Sequence, residues 1–197
     1  MAGPQLWLVR HGETEWSAIG RHTGRTDLTL TEDGRAKAAD LRDVLADHDF
    51  AMVLSSPLQR ARQTCDLAGF GARAETDVDL REWDYGDYEG LTTGQIKQTR
   101  PDWSLWRDGC PGGEAADDVG RRADRVIAKA CAADGDVVAF AHGHLLRVLA
   151  ARWIGLDPAD GALLGLDTAS VSILGWERDQ PVLRRWNLSA DHAGLRR

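Results

Sequence analysis

The stretch LWLVRHG, residues 6–12, determines how this sequence is expected to fold. Four apolar residues run directly into Arg10 and His11, which is the pattern of a short buried strand that ends in a polar loop. The same transition recurs at residues 51–60, where AMVL precedes SSPLQR, and at residues 136–144, where DVVAFA precedes HGH. Three predicted strand ends therefore carry His or Arg, and these are the candidate functional elements.

Helical patterns separate the predicted strands. Thr31 is expected to cap one helix, and Ser56, with Pro57 at the first helical position, is expected to start another that runs to about Ala68. Apolar spacing predicts two more helices around residues 119–130 and 145–153, and two closing strands at 169–176 and 182–188. This alternation predicts an α/β fold, a three-layer αβα sandwich whose mostly parallel central sheet has helices on both faces.

Composition limits the classes of protein that this sequence can represent. With 197 residues we expect one domain over residues 1–197, containing a Trp- and Gly-rich, insertion-like segment at about 83–113. The net charge of −7 argues against a nucleic-acid partner, because nucleic-acid-binding domains are usually basic. No apolar run approaches the roughly 18 residues of a membrane span, so we expect no membrane partner.

The cysteines and the N-terminal residues suggest a compartment. Cys65, Cys110 and Cys131 are odd in number and form no CxxC pair, so we expect neither a disulfide framework nor a zinc site. Residues 1–9 show no basic region followed by an apolar run, which argues against a signal peptide. Together these features predict a cytoplasmic protein.

The three polar strand ends together predict a phosphoryl-binding pocket. In parallel α/β sheets, ligands bind beyond the carboxyl ends of the strands, where these side chains would meet. Guanidinium groups bind phosphate oxygens through paired hydrogen bonds, and a neutral imidazole can attack phosphorus. Cationic neighbours lower the pKa of an imidazole and so keep it neutral. A metal site is the competing interpretation, but no HEXXH-type spacing is present and Arg beside His disfavours a cation. We therefore expect no metal and no cofactor.

Longer motifs resemble those of the histidine phosphatase superfamily, also called the phosphoglycerate mutase-like family. The first is LVRHGETEW at residues 8–16, followed by GRTDLTLT at residues 24–31. The others are SSPLQRA at residues 55–61, LRE at residues 80–82 and HG at residues 142–143. The motif RHG alone is weak evidence for this family. The combination of RHGET, SSP…R and a late HG, in this order and spacing, is highly specific for it. The likeness covers nearly the whole chain and implies a phosphoglycerate mutase-like fold.

The resemblance implies a role for each matching residue. His11 would be the nucleophile that becomes a phosphohistidine, while Arg10, Arg60 and His142 would hold the phosphoryl oxygens. Glu82 would protonate the leaving oxygen and then deprotonate the attacking water. The expected substrate-binding residues are Ser17, which replaces the Asn of many members, and Thr23, Gly24, Tyr85, Gly143 and His144.

Local sequence around residues 81–90 and 106–110, together with the HGH at 142–144, resembles a narrower branch of the family. That branch contains broad-specificity acid phosphatases of actinobacterial type and a fungal sedoheptulose-1,7-bisphosphatase. The leading hypothesis is thus a metal-independent acid phosphatase that acts on a small phosphorylated metabolite. The alternatives are a sugar bisphosphatase, a phosphoglycerate mutase and a non-catalytic phosphosugar-binding module.

Several features leave the substrate open. A second phosphate would need further cations at the pocket mouth, for which the sequence offers Arg25, Arg81, Arg100 and Arg107. The indoles of Trp83, Trp103 and Trp106 are candidates for the pocket wall, and the tail after residue 188 is a candidate cover. A homodimer is the default expectation for an oligomer.

Overall fold

In the computed structural model, which describes residues 3–190, six strands form one sheet. They are β1 (Leu6–Arg10), β2 (Met52–Ser55), β3 (Glu75–Thr76), β4 (Val137–Ala141), β5 (Val171–Glu177) and β6 (Gln180–Leu188). Their order is β3-β2-β4-β1-β5-β6, with the first four parallel and β5 and β6 antiparallel to their neighbours. The predicted mostly parallel sheet is confirmed, whereas the two-residue β3 was not predicted.

The helices lie on both faces of this sheet, as predicted. They are α1 (Glu15–Ala18), α2 (Glu32–Leu45), α3 (Gln59–Leu67), α4 (Thr93–Thr99), α5 (Leu105–Asp108), α6 (Ala116–Cys131) and α7 (Gly143–Trp153). Short 3₁₀ turns occupy Gly71–Arg73, Val78–Leu80, Gly86–Tyr88 and Pro158–Leu163. No helix in residues 3–190 is both long enough and apolar enough to cross a membrane. The tail residues 191–197 lie outside the described part of the chain.

The alternation of side chains along β1 divides the core into two layers. Leu6 and Leu8 pack in one cluster with buried residues of α6 and α7. Trp7 and Val9 point to the other face and pack in a second cluster with buried residues of α2 and α3. Because both faces are covered, the central parallel strands β1, β2 and β4 are apolar up to their carboxyl ends, where polar side chains begin.

The helix starts agree only partly with the sequence prediction. Thr31 caps α2 as expected, since its hydroxyl accepts a hydrogen bond from the Gly34 N–H at 3.0 Å. The prediction that Ser56 caps α3 with Pro57 at its first position is wrong, because α3 begins at Gln59. The carboxylate of Asp27, from a distant loop, accepts the Gln59 N–H at 2.7 Å. The hydroxyl of Ser56 accepts the Leu58 N–H, one residue before α3, at 3.3 Å and also contacts a ring nitrogen of His142.

Two glycines let the first turn of α2 pack against the loop that follows β1. A Cβ on Gly12 would lie 2.4 Å from the carbonyl oxygen of Gly34, and a Cβ on Gly34 would lie 2.2 Å from that of Glu13. Both obstructing atoms belong to the backbone, so no side chain can move away to make room. The loop that carries His11 therefore lies so close to the first turn of α2 that only glycine fits at both positions.

We predict that Gly34→Ala destabilises the protein by about 1–3 kcal/mol, because overpacking against backbone forces the loop and α2 apart. The measurement is the unfolding free energy from urea titration. Gly94→Ala in α4 is the matched control, since the nearest atom to its Cβ would be 3.8 Å away. That control should be neutral or slightly stabilising, as alanine favours helix over glycine. Equal stability changes in both variants would contradict the close-approach account.

Candidate active site

His11 lies in the loop immediately after β1, and its side chain is buried. Its Nδ1 is 2.6 Å from the carbonyl oxygen of Gly12. A carbonyl only accepts hydrogen bonds, so Nδ1 carries the proton and Nε2 keeps its lone pair. Two backbone hydrogen bonds fix His11 between β4 and the start of β5. Its N–H donates to Ala141 O and its carbonyl oxygen accepts from Ala169 N, both at 3.0 Å. This geometry presents an unprotonated Nε2.

The charge state of His11 follows from its surroundings. Burial, and then the positive charges of Arg60 and Arg10, hold the pKa of His11 well below the ordinary 6.5. The hydrogen bond to Gly12 acts in the opposite direction but is the smallest contribution. The cationic neighbours act in the direction expected from the sequence, but burial contributes most to keeping the ring neutral and its Nε2 lone pair available in mildly acidic solution.

Arg10 ends β1 beside this ring. One terminal nitrogen of its guanidinium donates a hydrogen bond to Leu166 O. Its Nε is the only fully buried side-chain nitrogen or oxygen in residues 3–190 that lacks a hydrogen-bond partner. Gly143 makes room for the group, because a Cβ there would lie 3.2 Å from both Cζ and Nε of Arg10. An unpartnered buried N–H beside a nucleophile is a site that an anion would satisfy.

His142 and Arg60 form a second buried layer next to His11. The His142 ring centroid is 5.1 Å from that of His11. Arg60 Nε donates to His142 Nδ1 at 3.1 Å, so the proton of the neutral ring is on Nε2, which donates to Ser56 Oγ at 2.7 Å. Burial, followed by the charge of Arg60, holds the pKa of His142 well below 6.5.

The guanidinium of Arg60 is anchored mainly to backbone. It donates to the carbonyl oxygens of Thr26, Thr23 and Gly24 at 2.9–3.1 Å. Together with the bond to His142, these contacts use four of its five N–H groups. Arg60 and His142 thus lie behind His11 rather than in the pocket wall, and their predicted contact with phosphoryl oxygens stays a prediction.

Glu82 is fixed at the start of α7 by main-chain donors. Its Oε1 accepts from Trp83 N at 2.9 Å and from Leu145 N at 3.0 Å, and its Oε2 accepts from His144 N at 3.1 Å. These three backbone bonds orient the carboxyl group, which lines the same pocket as His11, without help from any side chain.

The residues meet in a small pocket of about 230 Å³. Eight of the residues predicted from the sequence line this pocket. One of them, Ser17, already uses its hydroxyl within its own turn, where it accepts the Thr14 N–H and donates to the Thr14 carbonyl oxygen. Gly24 instead lines a separate cleft, and its N–H donates to Glu89 at about 2.9 Å. The predicted residues in the pocket are Arg10, His11, Ser17, Thr23, Glu82, Tyr85, Gly143 and His144.

The structure corrects the predicted cations and aromatic walls. Arg25 and Arg81 line the separate cleft, which has a volume of about 660 Å³ and shares Glu82 with the pocket. Arg100 donates to Tyr88 Oη, and Arg107 is paired with Asp108 at 2.8 Å. Besides the predicted Arg10, the cations that line the pocket are Arg21 and Arg147, which were not predicted from the sequence, and neither were His22 and Leu166.

The three candidate indoles stand behind the pocket rather than in its wall. Trp83 and Trp103 are buried, and Trp106 is half-buried. The ring centroid of Trp106 is 5.3 Å from that of His144, which does line the pocket. These indoles therefore support the residues that a ligand would meet.

The side chains of residues 3–190 include no group of three or more His, Cys, Asp or Glu arranged to hold a metal ion. The three cysteines are unpaired, as expected. The charged and titratable groups that line the pocket are imidazole, guanidinium, carboxyl and phenol groups.

Comparison with known proteins agrees with this geometry. Residues 6–189 match the family model of the histidine phosphatase superfamily, branch 1. The chain belongs to this superfamily. A protein of Mycobacterium tuberculosis named acid phosphatase is 44% identical over 177 residues, which cover 88% of this chain and 87% of that protein. Sedoheptulose 1,7-bisphosphatase of Saccharomyces cerevisiae is 38% identical, over 78% of this chain and 68% of its own length.

A solved structure shows the same fold. The product of a Mycobacterium tuberculosis open reading frame superposes with a TM-score of 0.90 at 40% identity, covering 95% of this chain and 98% of the other. The predicted phosphoglycerate mutase-like α/β fold is therefore confirmed for this histidine phosphatase.

The buried neutral histidines predict how stability depends on pH. The pKa values of His11, His142 and His144 are all held well below 6.5 in the folded protein, chiefly by burial. Below pH 6.5 the unfolded chain binds protons that the folded protein does not, so the unfolding free energy should fall as pH drops from there. Each of these histidines contributes at most about 1.4 kcal/mol per pH unit to this slope.

Urea unfolding at a series of pH values measures the effect. His142→Asn should flatten the slope below pH 6.5 relative to wild type, because one buried titrating ring is lost, while the two curves should run parallel above about pH 7.5. Parallel curves throughout the acidic range would contradict the assignment of a neutral, buried His142.

Proposed function

We propose that this histidine phosphatase is a metal-independent acid phosphatase that hydrolyses small phosphomonoesters through a phosphohistidine on His11. The observation that carries the proposal is the pairing of two features within one pocket. His11 presents an unprotonated Nε2, because Nδ1 donates to Gly12 O, and the buried Nε of Arg10 beside it has no partner. A phosphoryl group would satisfy both, with phosphorus facing Nε2 and an oxygen accepting from Arg10.

The first step transfers the phosphoryl group to the enzyme. Nε2 of His11 forms a bond to phosphorus as the bond from phosphorus to the ester oxygen breaks. Glu82 donates a proton to the departing oxygen, so an alcohol leaves. Arg10 offers an N–H group and positive charge to the phosphoryl oxygens, which carry negative charge throughout, and the charge of Arg60 acts on them from behind His11.

The second step releases phosphate. Water attacks the phosphorus of phosphohistidine, Glu82 now takes a proton from that water, and the bond between nitrogen and phosphorus breaks. Inorganic phosphate leaves and His11 returns to its starting tautomer, which the Gly12 carbonyl preserves because Nδ1 keeps its proton throughout.

The residues around the pocket argue against the other hypotheses. A mutase related to this chain would be expected to have Lys at position 93 and an Arg pair at 107–108. Thr93 has no charge, and Asp108 neutralises Arg107 in an ion pair outside the pocket. A non-catalytic module would not need Glu82 held by three backbone N–H groups opposite a neutral His11. A sugar bisphosphatase uses the same chemistry and differs only in how the substrate is recognised.

The pocket volume of about 230 Å³ suits a small metabolite better than a macromolecule. We also propose a cytoplasmic location. The three cysteines support it because all are free thiols, which persist in a reducing compartment.

We predict that His11→Ala abolishes the covalent intermediate and lowers kcat by on the order of 10³-fold or more. Wild-type enzyme quenched during turnover should carry base-stable, acid-labile phosphate, detected by intact-protein mass spectrometry. His48→Ala is the matched control, because His48 packs on Trp7 outside the pocket, and it should retain both phosphate and activity. Turnover that persists in His11→Ala, or that EDTA abolishes in wild type, would overturn the proposal.

We also predict that Glu82→Gln slows esters of poor leaving groups most. Hydrolysis of glycerol 1-phosphate should fall by about 10²–10⁴-fold, the usual contribution of a general acid, and hydrolysis of p-nitrophenyl phosphate by much less, since p-nitrophenolate leaves without protonation. Glu177→Gln is the control, because Glu177 extends β5 beyond the amino end of β1, away from the site. Equal losses for both esters would exclude Glu82 as the proton donor.

A further inference from the structure

The side chain of Arg122 is mostly buried, although the sequence around it is typical of an exposed helix face. Arginines at positions 121, 122 and 125 alternate with aspartates along α6. The Arg122 side chain is only 14% exposed, whereas that of Arg125 is 58% exposed. Ordering an arginine side chain costs conformational entropy, so the contacts of this guanidinium have to offset that cost.

The guanidinium of Arg122 binds the main chain that carries Glu82. Its Nη1 donates to Asp79 O at 2.7 Å and to Arg81 O at 2.9 Å, and its Nη2 donates to Glu82 O at 3.4 Å. Residues 81–85 belong to no helix or strand, so they lack the regular backbone hydrogen bonds of such an element. One side chain from α6 supplies hydrogen bonds to this loop instead.

Glu114 extends these contacts along the same loop. Its carboxylate pairs with Arg122 through two parallel bonds, Nε to Oε1 and Nη2 to Oε2, both 2.8 Å. The Glu114 Oε2 also accepts Asp84 N, its carbonyl oxygen accepts Trp83 Nε1, and its N–H donates to Asp84 O, all at 2.9 Å. All five N–H groups of Arg122 are therefore bonded within this network.

The main chain and the carboxyl group of Glu82 are thus held by different elements. Backbone N–H groups of Trp83 and of α7 hold the carboxyl oxygens, whereas Arg122 and Glu114 hold the backbone from which the side chain extends. Proton transfer needs the carboxyl group within hydrogen-bond distance of the leaving oxygen, so a displaced loop would weaken it even with Glu82 present.

We propose that Arg122, through its pair with Glu114, is the residue that positions Glu82 for proton transfer. This inference rests on the proposed phosphatase function, in which Glu82 is the general acid. Arg122 lines the neighbouring cleft of about 660 Å³ and not the pocket that contains His11. It therefore acts through the backbone of Glu82 rather than on the substrate, which makes it a positioning residue.

The dependence of the rate on the leaving group measures this role. The leaving oxygen of glycerol 1-phosphate needs a proton from Glu82, whereas p-nitrophenolate leaves without one. We expect Arg122→Gln to lower kcat/KM for glycerol 1-phosphate by about 10- to 100-fold, the cost of misplacing a catalytic group by about 1 Å, and for p-nitrophenyl phosphate by less than about threefold. The ratio of kcat/KM for the two esters is thus the readout.

Arg125→Gln is the matched control. Arg125 also joins α6 to this loop, but its guanidinium binds only the side chain of Asp79, with Nε 2.8 Å from Oδ2, at the protein surface. This variant should keep the wild-type ratio of the two esters. Arg122→Lys should give an intermediate ratio, because an ammonium group restores the charge but has three donors instead of a planar set of five. A wild-type ratio in Arg122→Lys would overturn the positioning role, since charge alone would then suffice.

A double variant separates positioning of Glu82 from general support of the fold. In the Glu82→Gln background, Arg122→Gln should change kcat/KM for glycerol 1-phosphate by less than about twofold, because no general acid is left to misplace. Thermal melting of each variant shows whether it is folded at the assay temperature. Arg122→Lys takes the place of Arg122→Gln in both comparisons where the latter melts below that temperature.

The outcomes distinguish this inference from the proposed function. Equal losses on both esters in Arg122→Gln, or independent losses that multiply in the double variant, would overturn the positioning role and leave the phosphatase proposal intact. Equal losses on both esters in Glu82→Gln itself would overturn the general-acid step of the proposed function, and the positioning role with it.

Discussion

Two guanidinium groups buried beside one imidazole are the constraint on which the rest of this site depends. Burial lowers the pKa of both Arg10 and Arg60. For each guanidinium, the charge of Glu82 is the main factor that raises the pKa in return. Desolvating two cations costs several kcal/mol each unless hydrogen bonds replace water. Arg60 obtains its bonds from three backbone carbonyls, whereas Arg10 keeps an unpartnered Nε. The cost that remains at Arg10 is what an anionic substrate would relieve.

The same cations determine the state of the nucleophile. With the ring buried and positive charge on two sides of it, His11 stays neutral, and the Gly12 carbonyl decides which nitrogen keeps the proton. Binding a phosphoryl group would then neutralise the cations in the same event that brings phosphorus to Nε2. Affinity for the anion and activation of the nucleophile are thus two results of one arrangement of charge.

Helix α7 positions several groups of the site at once. It begins directly after His142, Gly143 opens space for Arg10, and the N–H groups of His144 and Leu145 hold Glu82. One turn later Arg147 reaches the outer part of the same pocket. A shift of this single helix would therefore move Glu82 and the pocket-lining Arg147 together.

The sequence predicted the strand ends and most of the pocket because those features are local. Apolar runs that stop at Arg10, at residues 55–60 and at His142 are readable without tertiary information, and the family motifs added Glu82. Ser56 was misassigned as a cap because Asp27, 32 residues from Gln59, supplies the cap instead. Arg147 was missed because a lone Arg on an apolar helix resembles a surface residue, although its spacing of three from His144 was visible. Whether Arg107 or Arg147 reaches the pocket depends on pairing with Asp108 and stacking on Trp106, which only the folded chain decides.

The central claim is that His11 is neutral with its proton on Nδ1 before substrate arrives. Nitrogen-15 NMR of histidine-labelled protein, with His11→Gln used to assign the signals, measures both the tautomer and the titration directly. The account predicts a neutral ring protonated at Nδ1 at pH 6.5, the ordinary pKa of histidine, with titration only at much lower pH. An imidazolium at pH 6.5, or a neutral ring protonated at Nε2, would contradict it.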